Sequence, residues 1–161
     1  MAVNINYVFN VFLRKQIALK SDEIAETVEE LIKKLSFSPS LDPAQIHRFI
    51  GIAYSSDSTK SLQEFIERQV TKEKKAREKP WTKGDLHKRL LSKIKEIVGK
   101  DSNEVYEKAL NKTKESLKNV ENVEKEFDEA NKKKIVHDIS IELLKRFATH
   151  FGIHYLYKKG G

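Results

Sequence analysis

The segment 132–157, KKKIVHDISIELLKRFATHFGIHYLY, most constrains what this chain can become, because large apolar side chains are nowhere else so dense. Val136, Ile139, Leu143, Phe147 and Phe151 recur at steps of three and four, and Ile135 and Leu144 widen the stripe. On a helix that spacing makes one broad apolar face that must be covered by other elements. Lys158 and Lys159 follow its last turn, where cations suit the negative end of the helix dipole. The expectation is a long, apolar C-terminal helix on which the rest of the chain packs.

Upstream, helical periodicity dominates. Segment 3–19 carries Tyr7, Val8, Phe9, Phe12, Leu13 and Ile17 at helical spacing, as a core-facing helix or, with Tyr7, Phe9 and Phe12, an anchor for a partner. Ser21 and Asp22 predict the cap of a second helix with Ile24, Val28, Leu31, Ile32 and Leu35 inward. The run 36–40, SFSPS, predicts a loop. Asp42 followed by Pro43 is a helix start, with Ile46, Phe49, Ile50 and Ala53 on the inner face.

Leu62, Phe65, Ile66 and Val70 predict another helix, running into the charged TKEKKAREK as a solvated helix end or mobile linker until Pro80. Thr82 with Asp85 resembles a capping box for a helix through Leu86, Leu90, Ile94, Ile97 and Val98, closed by Gly99. Asp101 with Glu104 repeats the pattern for a helix through Val105, Leu110 and Leu117. With six Gly, three Pro and no internal repeat, the sum is one all-α domain over 1–161, a compact bundle of five to seven helices. Segments 68–80 and 111–134, charged and thinly apolar, are expected at its periphery.

Composition narrows function by exclusion. Without Cys there are no disulfides, thiolate zinc sites or cysteine nucleophiles. No apolar run approaches the length of a membrane span, and Arg14 and Lys15 follow the first apolar stretch instead of preceding it, unlike a signal peptide. The expected location is the cytoplasm, with no membrane partner. The net charge of +7 favours an anionic partner, nucleic acid first among them, although an abundance of Lys and Glu also suits a thermophile's surface.

Reactive centres do not assemble from the sequence. The glycines do not cluster into a phosphate-cradling loop, and no serine-nucleophile elbow occurs. His150 and His154 are spaced to share a metal, but Phe151 stands where a zinc hydrolase has its glutamate, and packing at the core rim suits them better. Helical HEPN-type ribonucleases have four to six residues between an arginine and the histidine that follows it. Here three residues separate Arg146 from His150 and seven separate it from His154. The chain therefore reads as no enzyme, with neither cofactor nor metal.

Basic residues remain. Arg48, Lys145 and Arg146 each lie beside an apolar helical face, where a held guanidinium meets phosphate with less entropy lost than a free lysine; an ion pair to a glutamate is the plainer alternative. Lys72, Lys74, Lys75, Arg77 and Lys79 form a looser cluster around Trp81, which fits a core plug better than a base-stacking platform.

Two stretches together resemble a known family. LDPAQIHRFIGIAY is similar to a motif of a capped helix bearing an aliphatic, a basic and two large apolar residues. LLKRFATHFGIHYLYKKGG is similar to a C-terminal signature of an Arg-Phe pair, aromatics over two turns and a Lys/Gly-rich tail. The family is the small subunit of the type III-A CRISPR effector, the Csm complex, and the likeness covers about a fifth of the chain. The resemblance implies a non-catalytic helical protein in an antiviral ribonucleoprotein complex. Its partners would be crRNA and target RNA, other Csm subunits and further copies of itself.

Carried over by position, the RNA-binding residues would be Arg48, Lys145 and Arg146, with His47 beside the first. The family's mid-chain aromatic-Gly-Arg motif is not found, and Lys88 and Arg89 are placed as stand-ins. Alternatives from other classes are a helical protein-interaction module with no nucleic-acid role and a helix-turn-helix DNA binder. The short, mostly apolar helix after Pro43 leaves the latter few side chains to reach bases.

Overall fold

In the computed structural model, which describes residues 4–35 and 40–160, the chain is an all-helical bundle with no strand among those residues. Helix α1 spans Ile5–Lys33, α2 Pro43–Ser55, α3 Ser61–Glu73, α4 Leu86–Glu96, α5 Ser102–Ser116 and α6 Glu129–Gly160. A π-turn, Ile97–Asp101, joins α4 to α5 without a break, so six helices make five rods. The expected loop at 36–39 lies outside the described residues, as do Val3 and Gly161.

Helices α1 and α6 run side by side in the same direction: the His150 Nε2 to Ser21 Oγ hydrogen bond (3.0 Å) ties their middles, and Lys158 Nζ donates to the carbonyls of Ile32 and Leu35 near the end of α1. Helix α5 packs on both, α2 lies on the far flank of α6, and α3 closes the ring between α2 and α4. Phe49 sits at the middle of the core, its ring centroid 5.5 Å from Phe151, 5.9 Å from Trp81, 6.2 Å from Phe65 and 6.4 Å from Phe147. Those rings come from α2, α3, α6 and the turn before α4, so one aromatic cluster fastens four separate parts of the chain. Trp81 is fully buried, as a plug of the core should be, and no face of it is open to a base.

Four boundaries differ from the sequence expectation, among them Asp101, which lies inside a continuous turn and forms no side-chain cap. Segments 3–19 and 21–35 are not two helices but one, α1, because Ser21 spends its hydroxyl on His150 and leaves the backbone helical. Asn4 caps the start instead, accepting from the Tyr7 amide at 3.0 Å. Gly99 does not close a helix either: it lies inside the π-turn, where one wider turn keeps the backbone bonded through Asp101.

Nor do Thr82 and Asp85 form a cap. Gly84 (φ 62°) and Asp85 (φ 59°) are both left-handed, and Thr82 donates its hydroxyl to Glu73 at 3.0 Å. Glu73, the buried last residue of α3, also accepts from the Trp81 and Thr82 amides at 2.8 and 3.0 Å. A carboxylate inside the charged 68–80 segment thus anchors the connection to α4.

The expected start at Asp42 holds as a full capping box, with Gln45 answering at 3.0 Å. Helix α6 is 32 residues long, but it is apolar along one stripe only: Ile139, Leu143, Phe147, Phe151 and Tyr155 are buried, while the flank bearing Glu142 and Ile153 meets solvent. Its hub role is shared with α1. In the 111–134 region α5 stops at Ser116, and buried Val123 with Phe127, 4.7 Å from Phe9, holds the turn that follows against the bundle.

Candidate nucleic-acid interface

The six basic candidates fall on different surfaces, and the helix phases explain why. On α2 the buried residues Ile46, Phe49 and Ala53 define the inner face, and Tyr54 leans onto α6 with its hydroxyl 3.1 Å from Thr149 Oγ1. His47 is seven residues before Tyr54 and shares its flank, toward α6. Arg48, one residue on, is turned by about 100° to the outer side of α2.

Lys145 lies over the Tyr54 ring, 5.8 Å from its centroid, so it belongs to the α2–α6 seam with His47. Arg146 points the other way, toward α1: His150, one turn later on the same face, is the residue that bonds Ser21. Its Nε donates to Glu142 Oε1 at 3.2 Å. Arg48, Lys145 and Arg146 therefore do not line one groove. Arg146 takes the ion-pair alternative, and Lys145 is held by an aromatic face instead of a phosphate.

Lys88 and Arg89, placed with the least sequence support, are the pair that the fold brings to a concave surface. Both are exposed on α4 and line an open groove of about 420 Å³ between α1 and α4. Lys34, Thr27 and Ser92 line it too and add a third cation and two hydroxyls, while Glu30 and Glu96 supply the opposing charge. Lys88 has only a loose exposed contact, 3.7 Å to Asp85. An open cationic trough with hydroxyls and no enclosed pocket suits a phosphodiester backbone better than a small molecule.

The inner end of the groove leads to a buried charge cluster that the sequence reading missed. Lys20 Nζ reaches Glu23 at 2.8 Å and Glu104 at 2.9 Å, with Asp101 at 4.0 Å; Lys93 lies 3.9 Å from Asp101 and 3.4 Å from Glu96. Lys20, Lys93 and Asp101 are all buried. The signal was available: Lys20 stands four residues before Ile24, and Lys93 three after Leu90, both on apolar stripes where a lysine demands a partner.

Burial opposes the Lys20 charge, but its bonds to Glu23 and Glu104 outweigh that and hold its pKa above the ordinary value. Burial pushes the Asp101 carboxyl upward despite Lys93 and Lys20. The cluster can clamp α1 to the π-turn. With its ammonium groups already bound by carboxylates, it is a structural lock and not a ligand site.

His150 and His154 do not gather further ligands: no group of three metal-ligating side chains occurs among the described residues. Nor is any helix among them long and apolar enough to cross a membrane. Fold and surface together define a class, an all-helical bundle with a cationic trough between its first and fourth helices. No protein-family model, curated protein sequence or solved structure matches the chain.

Proposed function

We propose that this chain is a non-catalytic RNA-binding subunit that grips the phosphate backbone in the α1–α4 groove, and that its place is as the small subunit of a cytoplasmic type III-A CRISPR effector complex. The observation that carries the RNA reading is the convergence of Lys34, Lys88 and Arg89 on one open groove. Spaced cations on a rigid helical wall neutralise successive phosphates without selecting bases, which is what a protein that accompanies any guide sequence needs. The assignment to the effector rests on the resemblance of 41–54 and 143–161 to the family's two motifs, in the family's order, and the all-helical fold is compatible with it. Copies arrayed along one RNA would add their contacts, so weak affinity per copy suffices.

Binding of a fluorescent single-stranded RNA to the isolated protein, titrated at two salt concentrations, tests the proposal. Binding should be tolerant of sequence and weaken steeply with salt. The pair Lys88→Glu/Arg89→Glu should reduce affinity by about tenfold or more and flatten the salt dependence by about two contacts. Arg48→Glu/Arg146→Glu should have the smaller effect. No binding at low salt, or binding indifferent to Lys88 and Arg89, overturns the groove. Effector subunits encoded beside the gene would support the assignment to the complex, and their absence would remove it while leaving RNA binding to be judged alone.

A further inference from the structure

We propose that the solvent-facing stripe of α1 is an interface for a second copy of this chain, the two α1 helices crossing antiparallel about a two-fold axis at Ala18. The stripe follows from helix phase. Beside the face that buries Phe9, Ile24, Val28 and Ile32 runs an exposed flank of Tyr7, Val11, Arg14, Ala18 and Asp22, ending at half-buried Ala25. The steps of four and three keep it on one side of a straight helix.

Two observations mark this face as unlike an ordinary solvated one. Tyr7 and Val11 are 68% and 50% exposed, and on the adjacent flank of α6 Ile153 and Tyr157 are 58% and 82% exposed. These four large apolar side chains form two exposed pairs at opposite ends of α1, Tyr7 and Val11 near its start and Ile153 and Tyr157 beside its second half, about 20 Å or more apart within one copy. The His150–Ser21 and Lys158–Ile32 bonds fix the register between the two helices, so Ile153, three residues past His150, stands level with Ala25.

Charge complementarity selects the partner. The N-terminal half of the stripe is basic (Arg14, Lys15) and the C-terminal half acidic (Asp22, Glu26, Glu29). Arg14, Lys15, Asp22 and Glu26, all exposed, make no ion pair among the described residues. When two copies cross antiparallel at Ala18, each residue meets the one equally far beyond Ala18 on its partner.

Arg14 then faces the partner's Asp22 twice over, Val11 faces the partner's Ala25, and Tyr7 reaches the partner's Glu29 with its hydroxyl. Val11 and Tyr7 of each copy come to rest near Ile153 and Tyr157 of the other. Ala18 at the crossing permits the close approach of the axes, about 8 Å, that small side chains allow. A parallel pairing would instead bring Arg14 onto Arg14. The arrangement is isologous and closes at two copies, and it does not depend on the RNA reading.

Sedimentation velocity of the full chain without RNA, over a wide concentration range at low and moderate salt, reads the interface. A reversible dimer that weakens with salt is expected. Arg14→Asp alone and Asp22→Arg alone should each raise the dissociation constant by about tenfold or more, since each sets like charges opposite one another twice per dimer. The double variant restores the pairing and should return to within about threefold of the parent. All substituted positions are exposed on one helix, and circular dichroism confirms that the fold is retained. A chain that stays monomeric throughout, a dimer indifferent to the single changes, or a double variant that fails to recover each overturns the proposal. The first outcome would assign the face to a different protein.

Discussion

The ammonium of Lys20 on α1 stands 2.9 Å from the carboxylate of Glu104 on α5, joining residues 84 apart in the chain. That contact, with Glu23 at 2.8 Å, completes the charge on the one side of Asp101 that Lys93 does not reach. Removing Lys20 leaves a buried carboxylate with a single cation at 3.9 Å. Loss of one partner from a buried pair costs about 3–5 kcal/mol, but Glu104 and Glu23 are partly exposed and water screens them. Lys20→Met, which keeps the apolar stem, should destabilise by about 2–3 kcal/mol in chemical denaturation. Adding Asp101→Asn should recover more than half of that, because the orphaned charge goes with it. A double variant as unstable as the sum of the singles would refute the cluster's coupling.

The same cluster sets two limits of the stability profile. Lys20 has a raised pKa in the fold, so its contribution is whole below the unfolded value of 10.5 and disappears as pH climbs through the folded one. Glu23 and Glu104, held low chiefly by their hydrogen bonds to Lys20, contribute fully above 4.5 and lose that contribution as pH falls through their depressed values. Melting temperature against pH should therefore decline at both extremes, and Lys20→Met should flatten both declines.

Glu73 offers a second test, of the connection between α3 and α4. Its carboxylate accepts three hydrogen bonds from Trp81 and Thr82 and is buried. Glu73→Ala strands two amides and a hydroxyl and should cost about 2–3 kcal/mol. Glu73→Gln keeps one acceptor but turns an NH2 toward a donor, and should cost about half as much. Trp81 fluorescence should report looser packing in the first variant. An unchanged denaturation midpoint in both would show that the segment is anchored in another way.

How much of this was legible beforehand varies with the kind of interaction. The inner faces of α2, α3, α4 and α6 follow directly from apolar spacing, and Trp81 as a core plug follows from its place at a helix entrance. Boundaries were lost where a residue could serve two different local structures. Ser21 looked like a cap, but its hydroxyl serves a histidine 129 residues away. Gly99 looked like a terminus, but a wider turn carried the helix past it. Local sequence cannot decide such competitions, because the deciding partner is distant.

The basic candidates show the same limit. Being next to an apolar face said that Arg48, Lys145 and Arg146 would be held, but not in which direction they would point. Lys34 became a groove residue only when α4 was laid beside α1.

Glycines give a sharp pair of outcomes. A Cβ at Gly51, on the open side of α2, would meet nothing within 4 Å, so Gly51→Ala should stabilise by about 0.5–1 kcal/mol through helix propensity alone. At Gly152 the same atom would lie 2.6 Å from Ile50 Cδ1 and 3.1 Å from Ile46 Cγ2, where α2 crosses α6. Ile50 can swing aside, but Ile46 is fully buried. Gly152→Ala should therefore gain less than Gly51→Ala. Gly152→Val should destabilise by about 2–3 kcal/mol by forcing the helices apart. Equal thermal shifts for the two alanine variants would contradict the close approach.

His150 carries the remaining pH dependence near neutrality. Burial first, then His154 and Arg146 beside it, hold its pKa below the ordinary 6.5, and only Asp22 acts in the opposite sense. An imidazole whose folded pKa is depressed binds fewer protons in the fold than in the unfolded chain. Its contribution is therefore complete above pH 6.5 and is lost as pH falls through the lower folded value. Protonation also removes the lone pair that can accept from Ser21, loosening the middle of the α1–α6 seam. Asp101 works against this, because its raised pKa makes protonation favourable to the fold as pH drops. The two are separated by His150→Gln, which can still hydrogen bond to Ser21 but does not titrate. Melting temperatures of parent and variant should run parallel above neutrality and diverge below about pH 6.5, the parent falling faster. Curves that stay parallel down to pH 5 would mean that His150 is protonated in the fold as readily as in the unfolded chain, and the seam would then be indifferent to acid.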